Sequence, residues 1–183
     1  GGAEGLGRHA AVRLADGAVR RLVVTTDERT PAGAAAELRA ALADRGVQVV
    51  DHPMADRAGL AALLAALPTD EPLTTVVHAA DIIHTSTLDE GDTADFVRVF
   101  TAKVEPAVWL DELLAGTDLD AFVVFSSIAG IWGGGGQGMS GAANAALDAV
   151  VERRRARGQA GCALAFGAFD QVGIGLDAAA LAQ

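Results

Sequence analysis

Short apolar runs and longer amphipathic stretches alternate along this sequence. Apolar runs with a bias towards β-branched residues predict five strands, at 22–26, 47–50, 73–80, 122–127 and 161–166. Apolar residues spaced three or four apart predict the helices, at 8–14, 31–45, 56–67, 96–114 and from a glycine-rich turn to about residue 155. Gly46 and Pro68 are expected to end two of these helices, and Pro106 to bend the fourth or mark its start.

The alternation of strands and helices with short connections predicts the fold class. Right-handed crossovers then give an α/β fold, a Rossmann-like doubly wound parallel sheet with helices on both faces. The glycine-rich turn at 1–7 feeds a helix, and such a turn normally follows a strand. We therefore expect residues 1–183 to form a single domain that is a fragment of a longer polypeptide and lacks the first strand. The tail at 167–183 is expected to be a lid or a cut end.

Composition narrows the classes of function. A hydrophobic fraction of 51% against 21% charged residues indicates a globular domain. The net charge of -10 disfavours nucleic acid and anionic membrane surfaces as partners. No apolar run approaches the roughly 20 residues of a membrane helix, and no secretion signal opens the sequence, which predicts a cytoplasmic protein.

Two isolated features have simple structural explanations. Cys162 is the single cysteine of the chain, so it cannot form an internal disulfide. It is predicted to be a small core residue in a reducing compartment. The basic run at 153–157 follows Glu152 at the end of a helical pattern, where its charges complement the helix dipole.

The strand at 122–127 is the most informative stretch. It ends in Ser126 and Ser127 and leads through the glycines at 133–138 into an alanine-rich helix. A buried parallel strand of this kind delivers hydroxyl groups to a site at the carboxyl edge of the sheet. The glycine turn at the start of the chain is by itself only a weak sign of a dinucleotide site.

Seven motifs in a particular order give a more specific identification: the turn at 1–7, Val76 to Ala80, Lys103, Phe125 to Gly130, Gly135 to Gly138, Ala142 to Asp148, and Leu164 to Gly167. In this combination the chain resembles the ketoreductase domain of modular type I polyketide synthases, a branch of the short-chain dehydrogenase/reductase superfamily. The resemblance covers nearly the whole chain.

The resemblance implies a catalytic tetrad of lysine, serine, tyrosine and asparagine. The lysine position falls on Lys103, the serine on Ser127 and the asparagine on Asn144. The tyrosine position is Ser140, and the chain contains no tyrosine. In active relatives the tyrosine gives a proton to the substrate carbonyl as hydride arrives, and a nearby lysine brings the phenol pKa towards neutrality. A serine hydroxyl is far less acidic and is shorter by a ring, so we expect the proton donor to be missing.

Active relatives use NADPH, and the positions that would hold it also depart from the family pattern. Ala3 and Glu4 stand where the family's glycine turn has threonine and glycine, so a carboxylate lies beside the expected pyrophosphate. The family's arginine for the 2′-phosphate is replaced by Thr26-Asp27-Glu28, with Arg29 one step late. Pro53 stands in place of the aspartate that binds adenine, and Asp81 in place of the glycine near the nicotinamide ribose. We therefore expect no cofactor and assign no cofactor-binding residue.

Asp27 supports one alternative. It lies about twenty residues after the glycine turn, where an acidic residue selects NAD by binding the ribose 2′-hydroxyl. Glu4, Pro53 and Asp81 argue against this alternative.

The four histidines have no carboxylate or cysteine at metal-ligand spacing, so no metal is expected.

Two further features indicate the lineage within the family. Trp132 stands eight residues before the tyrosine position, as in A-type ketoreductases, which give L-hydroxy products. The leucine and two aspartates that mark B-type members are here Ile83, His84 and Thr85. The chain is therefore similar to an A-type domain that has lost its activity, which matches the reductase-inactive C-type class.

The candidate residues also have structural explanations. Lys103 could be an ordinary surface lysine, and Trp132 a packing residue. Ser127 could hydrogen-bond backbone at the strand end, and Asn144 could form hydrogen bonds within its helix. His78 is predicted to be buried and hydrogen-bonded.

The favoured hypothesis is a redox-inactive ketoreductase-like domain that leaves the β-keto group of a polyketide unreduced and has a structural role in its module. The implied partners are an acyl carrier protein with a phosphopantetheine-tethered intermediate and other domains of the same synthase, including the structural ketoreductase subdomain. One alternative is an epimerase of the α-methyl group, with Ser127, Ser140 or His84 as the base and Lys103 stabilising an enolate. The other is an active β-ketoacyl reductase that uses NADPH, or NAD, with an unusual hydroxyl donor.

Overall fold

A computed structural model of the chain describes residues 1–17, 19–53, 56–80, 82 and 84–167. These residues form two compact units. The first unit contains the described residues of 1–72 together with 78–80, and the second contains 73–77 and the described residues after 80.

The first unit is a parallel strand pair with helices. In chain order its elements are α1 (Gly5–Ala15), β1 (Arg21–Thr26), α2 (Ala34–Ala41), β2 (Gln48–Pro53) and α3 (Arg57–Ala65). β1 pairs with β2 in parallel, from Arg21 opposite Gln48 to Thr26 opposite Pro53. Leu38 and Leu42 are completely buried in a core that also includes Ala11 and Ala15 of α1. Asp56 caps α3 by accepting a hydrogen bond from the Gly59 amide.

The second unit carries the strand that ends in two serines. Its elements are β3 (Thr75–His78, of which His78 is assigned to the first unit), α4 (Thr93–Lys103), α5 (Glu105–Leu113), β4 (Ala121–Ser127), α6 (Ala129–Trp132), α7 (Gly138–Ala156) and β5 (Cys162–Phe166). The strand order is β3-β4-β5, with β5 parallel to β4. The long helix α7 packs against β4, α4 and α5.

The α/β Rossmann-like fold predicted from the sequence is confirmed. The predicted helix at 96–114 is two helices, because Pro106 lies in the first turn of α5 and so marks a start. Gly46 adopts the left-handed conformation, with φ of 69°, at the end of the predicted helix 31–45. That helix is shorter than predicted, and a 3-10 turn at Ala43–Arg45 follows it. The predicted tail lies outside the described residues from 168 onwards.

Two burial predictions have different outcomes. His78 is buried, as predicted. Cys162 was predicted to be a core residue, and this is wrong, because its side chain is exposed. Leu164, two residues further along on the same face of β5, is exposed as well, so none of the described residues covers this face there.

A buried ionic cluster joins α5 to α7. Asp111 is 2% exposed, and its carboxylate accepts hydrogen bonds from Arg153 at 3.0 Å, from Arg154 at 3.2 Å and from Arg157. The Arg154 side chain is fully buried, and its guanidinium carbon lies 4.4 Å from the centre of the Phe122 ring. The basic run therefore does more than complement the helix dipole, since it attaches α7 to α5 and to β4.

Candidate functional site

Ser126 and Ser127 at the end of β4 play different hydrogen-bonding roles, the first as a donor and the second as an acceptor. Ser126 is buried, and its hydroxyl donates to the backbone carbonyl of Asn144 at 3.4 Å. Ser127 is half-buried, and its Oγ accepts a hydrogen bond from the Ala129 amide at 3.2 Å. Ser127 thus forms the backbone contact expected of a residue at a strand end. Ser126 connects β4 to α7.

Ser140 and Asn144 lie one turn apart near the start of α7. The Asn144 side chain is 2% exposed, and its Nδ2 donates to the Ser140 carbonyl at 2.8 Å. This is the hydrogen bond within a helix that the sequence suggested for Asn144. Its Oδ1 is buried and has no hydrogen-bond partner in the described part of the chain. The Ser140 hydroxyl donates to the backbone carbonyl of His84 at 3.3 Å.

Lys103 is the last residue of α4, the helix that packs against α7. Its side chain is 6% exposed. The alternative of an ordinary surface lysine is therefore wrong, because a lysine is rarely buried to this extent without a structural or functional reason. All four predicted site residues lie in the second unit.

His84 takes part in a polar cluster with α4. The Nη2 of Arg98 lies 3.2 Å from Nδ1 of His84, and the Oγ of Ser86 lies 3.1 Å from Nε2. A guanidinium can only donate, so Nδ1 is the acceptor and Nε2 carries the proton. Arg98 also donates to Asp95 at 2.7 Å, and this hydrogen bond lowers the pKa of Asp95. The basic nitrogen of His84 is thus already engaged by Arg98.

The segment from His84 to Gly91, which we call the 84–91 loop, lies against the glycine-rich loop that leads into α7. The Ser86 amide donates to the Gly136 carbonyl at 3.0 Å, and Ser86 forms an isolated parallel bridge with Gln137. A Cβ on Gly138 would approach the Leu88 side chain to 2.8 Å. The hydrogen bond from Ser140 to His84 is therefore one of several contacts that fasten this loop.

Trp132 ends α6 and is 80% exposed, and its neighbour Ile131 is also exposed. The interpretation of Trp132 as a packing residue is therefore wrong. Gly133 follows with φ of 74°, which turns the chain away directly after the tryptophan. Ile83 lies outside the described residues, so only His84 and Thr85 of the predicted B-type positions can be placed.

The glycine turn in the first unit keeps its close backbone packing. A Cβ on Gly7 would collide with the carbonyl oxygen of Gly1, and Ala3 is buried in the core. Glu4 is the N-cap residue of α1, and its exposed side chain makes no capping hydrogen bond. The amino end of a helix attracts anions, and here a carboxylate already stands beside it.

The positions after β1 and β2 are occupied by ion pairs. Asp27 follows β1 and is bound by Arg29, and Asp51 within β2 is bound by Arg39. Pro53, the last residue of β2, has no amide hydrogen and no carboxylate to offer an adenine. Asp81 lies outside the described residues.

Two charged groups of the first unit bear on the phosphates of a dinucleotide. A pyrophosphate would approach the carboxylate of Glu4, and a 2′-phosphate would find Arg29 paired with Asp27.

Among the described residues, no three histidine, cysteine, aspartate or glutamate side chains come together as a metal site requires. No helix in the described part of the chain is both long and apolar enough to span a bilayer.

Sequence reasoning overlooked Asp111 and assigned Arg154 only a role at the helix dipole. The pattern of apolar positions in each helix could have identified both residues as buried. Asp111 lies on the buried stripe formed by Ala107 of α5 and the cap residues Val104 and Leu114. Arg154 continues the buried stripe Leu147, Val150 and Val151 of α7. A charged residue at an apolar position of a helix indicates a buried partner of opposite charge.

Comparison with known proteins gives consistent results. The family model described as KR domain matches residues 1–171. The pikromycin polyketide synthase component PikAIII of Streptomyces venezuelae is 42% identical over 181 residues, which is 97% of this chain and 12% of that relative. The chain therefore spans only a small part of this relative.

Two solved structures have folds similar to that of this chain. A structure described as an A-type ketoreductase from a modular polyketide synthase is 42% identical, with a TM-score of 0.91, and the match covers 98% of this chain and 38% of that one. A structure described as a C2-type ketoreductase from a modular polyketide synthase is 34% identical, with a TM-score of 0.82, over 94% of this chain and 37% of that one.

Proposed function

Because the chain belongs to the ketoreductase (KR) domain family of modular polyketide synthases, we propose that it is a redox-inactive member, which leaves the β-keto group of a carrier-bound polyketide unreduced. The observation that carries the proposal is at residue 140. Serine stands there in a chain without tyrosine, and its hydroxyl donates to the His84 carbonyl. A serine hydroxyl held in this way is a poor source of the proton that a ketone needs during reduction.

The first unit supports the proposal independently. Glu4 places negative charge at the amino end of α1, and Arg29 is engaged by Asp27. NADPH carries phosphate groups at both of the corresponding places, so its binding loses two favourable electrostatic contacts. Without NADPH no hydride is available, whatever residue acts as acid.

The same comparisons support proposals for the lineage and the partners. The likeness to an A-type structure and the exposed Trp132 support descent from an A-type domain. The match to a C2-type structure supports assignment to the C-type class. The partners we propose are an acyl carrier protein with its phosphopantetheine-tethered intermediate and the other domains of a synthase, including the structural ketoreductase subdomain.

The proposal predicts the product of a direct assay. The chain is mixed with NADPH and a β-ketoacyl pantetheine thioester, and the thioester is analysed by mass spectrometry. We expect the β-keto compound to be recovered unchanged, with no hydroxyacyl thioester above a sample without protein. An active A-type ketoreductase under the same conditions is the positive control. A single hydroxyacyl stereoisomer, formed with one NADPH oxidised per molecule, would contradict the proposal.

A further inference from the structure

Asp27 and Arg29 lie directly after β1, the strand that follows α1 and its glycine turn. In folds of this class an acidic residue at this place binds the ribose 2′-hydroxyl of NAD, or an arginine binds the 2′-phosphate of NADP. This chain has both residue types within three positions. The choice of nucleotide therefore depends on the interaction between these two side chains.

The two side chains hold each other closely. The Nε of Arg29 donates to Oδ2 of Asp27 at 3.1 Å, and its Nη2 donates to the same oxygen. The backbone amide of Arg29 donates to Oδ1 at 2.9 Å. Thr30 completes the turn, because its Oγ1 accepts a hydrogen bond from the Asp27 amide at 3.1 Å. Arg29 is thus bound through both its side chain and its backbone.

The charge state of Asp27 agrees with this geometry. Partial burial works to raise the pKa of its carboxyl group, but the hydrogen bonds and charge of Arg29 outweigh burial, so the pKa lies below its usual value. At neutral pH the carboxylate is ionised and attached to the guanidinium. Glu28 between them is exposed and adds a second negative charge to the same turn.

We propose that Asp27 acts as a built-in substitute for a 2′-phosphate, occupying Arg29 and excluding 2′-phosphorylated adenine nucleotides from the first unit. Arginine uses the same guanidinium hydrogens for carboxylates and for phosphates. A 2′-phosphate would have to break the contact with Asp27 and then lie beside the released carboxylate. The same contact withholds Asp27 from a ribose 2′-hydroxyl, so NAD gains no compensating advantage.

The inference deepens the proposed loss of NADPH and rests on it, but it concerns the adenosine end alone. The probes are therefore adenosine 2′-monophosphate and adenosine 5′-monophosphate, which contain no nicotinamide. Their binding to the full chain is followed by ligand-observed NMR. We expect Asp27→Asn to raise the affinity for the 2′-phosphate by about tenfold or more, the value of one charge-assisted hydrogen bond. The affinity for the 5′-phosphate should not change.

Three further variants make the result specific. Asp27→Asn combined with Arg29→Met should lose the gain, because the arginine is the group that was released. Asp16→Asn removes the same charge from an ion pair with Arg45 at the other end of α1 and should change nothing. Asp27→Ser provides a second release variant and is expected to show the same gain.

An affinity for the 2′-phosphate within twofold of wild type in both folded release variants would overturn the inference. So would an equal gain in Asp16→Asn, which would indicate a general effect of net charge. These outcomes differ from failure of the proposed function. Reduction of a thioester by the wild-type chain would contradict the proposed function, whereas unchanged binding in Asp27→Asn would contradict only the role of Asp27.

Discussion

Replacing Asp111 by alanine is expected to lower the free energy of unfolding by about 3–5 kcal/mol. The carboxylate accepts hydrogen bonds from three arginines, and one of them, Arg154, is fully buried. The variant leaves the Arg154 charge inside the protein without its anion, although the Ala160 carbonyl still accepts from Nε at 2.7 Å. Since Arg154 also lies on the ring of Phe122, the loss should disturb the contact between α7 and β4.

Urea unfolding followed by circular dichroism measures this effect. Asp118→Ala is the matched control, because it removes the same side chain from an exposed position between α5 and β4. The control should stay within about 0.5 kcal/mol of wild type. In Asp111→Ala combined with Arg154→Met, part of the stability should return, because the unpaired charge is removed too. A loss below 1 kcal/mol in Asp111→Ala would contradict the structural role of the cluster.

Restoring a tyrosine at residue 140 is expected to leave the rate of thioester reduction within about tenfold of wild type. Where a general acid is the only missing group, its return typically restores about 10²–10⁴-fold. Ser140→Tyr should fail to do so for two reasons. The Glu4 carboxylate and the Asp27–Arg29 pair still oppose NADPH. In addition, a ring extending along the Ser140 hydroxyl would meet the His84 carbonyl, which lies only 3.3 Å from Oγ.

Ser140→Phe is the matched control for the ring. It introduces the same bulk against the 84–91 loop without a phenol, so the ratio of the two rates isolates the proton donor. We expect a ratio near one, measured as NADPH oxidation with a β-ketoacyl thioester. A ratio of about 10² or more would show that cofactor and pocket survive and that the missing phenol is the sole defect.

The contacts of the second unit also bear on epimerisation. A base for the α-proton needs a free lone pair near the substrate. Nδ1 of His84 accepts from Arg98, and the Ser140 hydroxyl is directed at a backbone carbonyl. Ser127 accepts from the Ala129 amide. The contact from Arg98 therefore weighs against His84 as the base, whereas the two serine hydroxyls keep acceptor lone pairs and their contacts do not exclude them.

Periodicity and proline chemistry predicted the fold well because they act locally. Pro106 lacks an amide hydrogen, so the division into α4 and α5 could be anticipated from one residue. Gly46 could be placed as a helix end for a similar local reason. Cys162 was placed wrongly because its exposure depends on whether another element packs on its face of β5. Apolar neighbours in the sequence do not show which face of a strand is covered.

The candidate site was predictable in position and less so in contacts. Family spacing located Ser127, Ser140 and Asn144 at the end of β4 and the start of α7. It could not show that the Ser140 hydroxyl donates to the 84–91 loop, since that hydrogen bond joins residues 56 positions apart. The pairing of Asp27 with Arg29 is local, yet the two residues were first considered as separate contacts to a nucleotide.

We propose that this ketoreductase domain neither binds NADPH nor reduces its substrate, and a titration with NADPH is the decisive experiment. The fluorescence of NADPH is followed as NADPH is added to the full chain, with an active A-type ketoreductase as the positive control. We predict no saturable change at NADPH concentrations up to roughly 1 mM, the upper end of the usual KM range. Saturation at one site per chain in the low micromolar range would contradict the account.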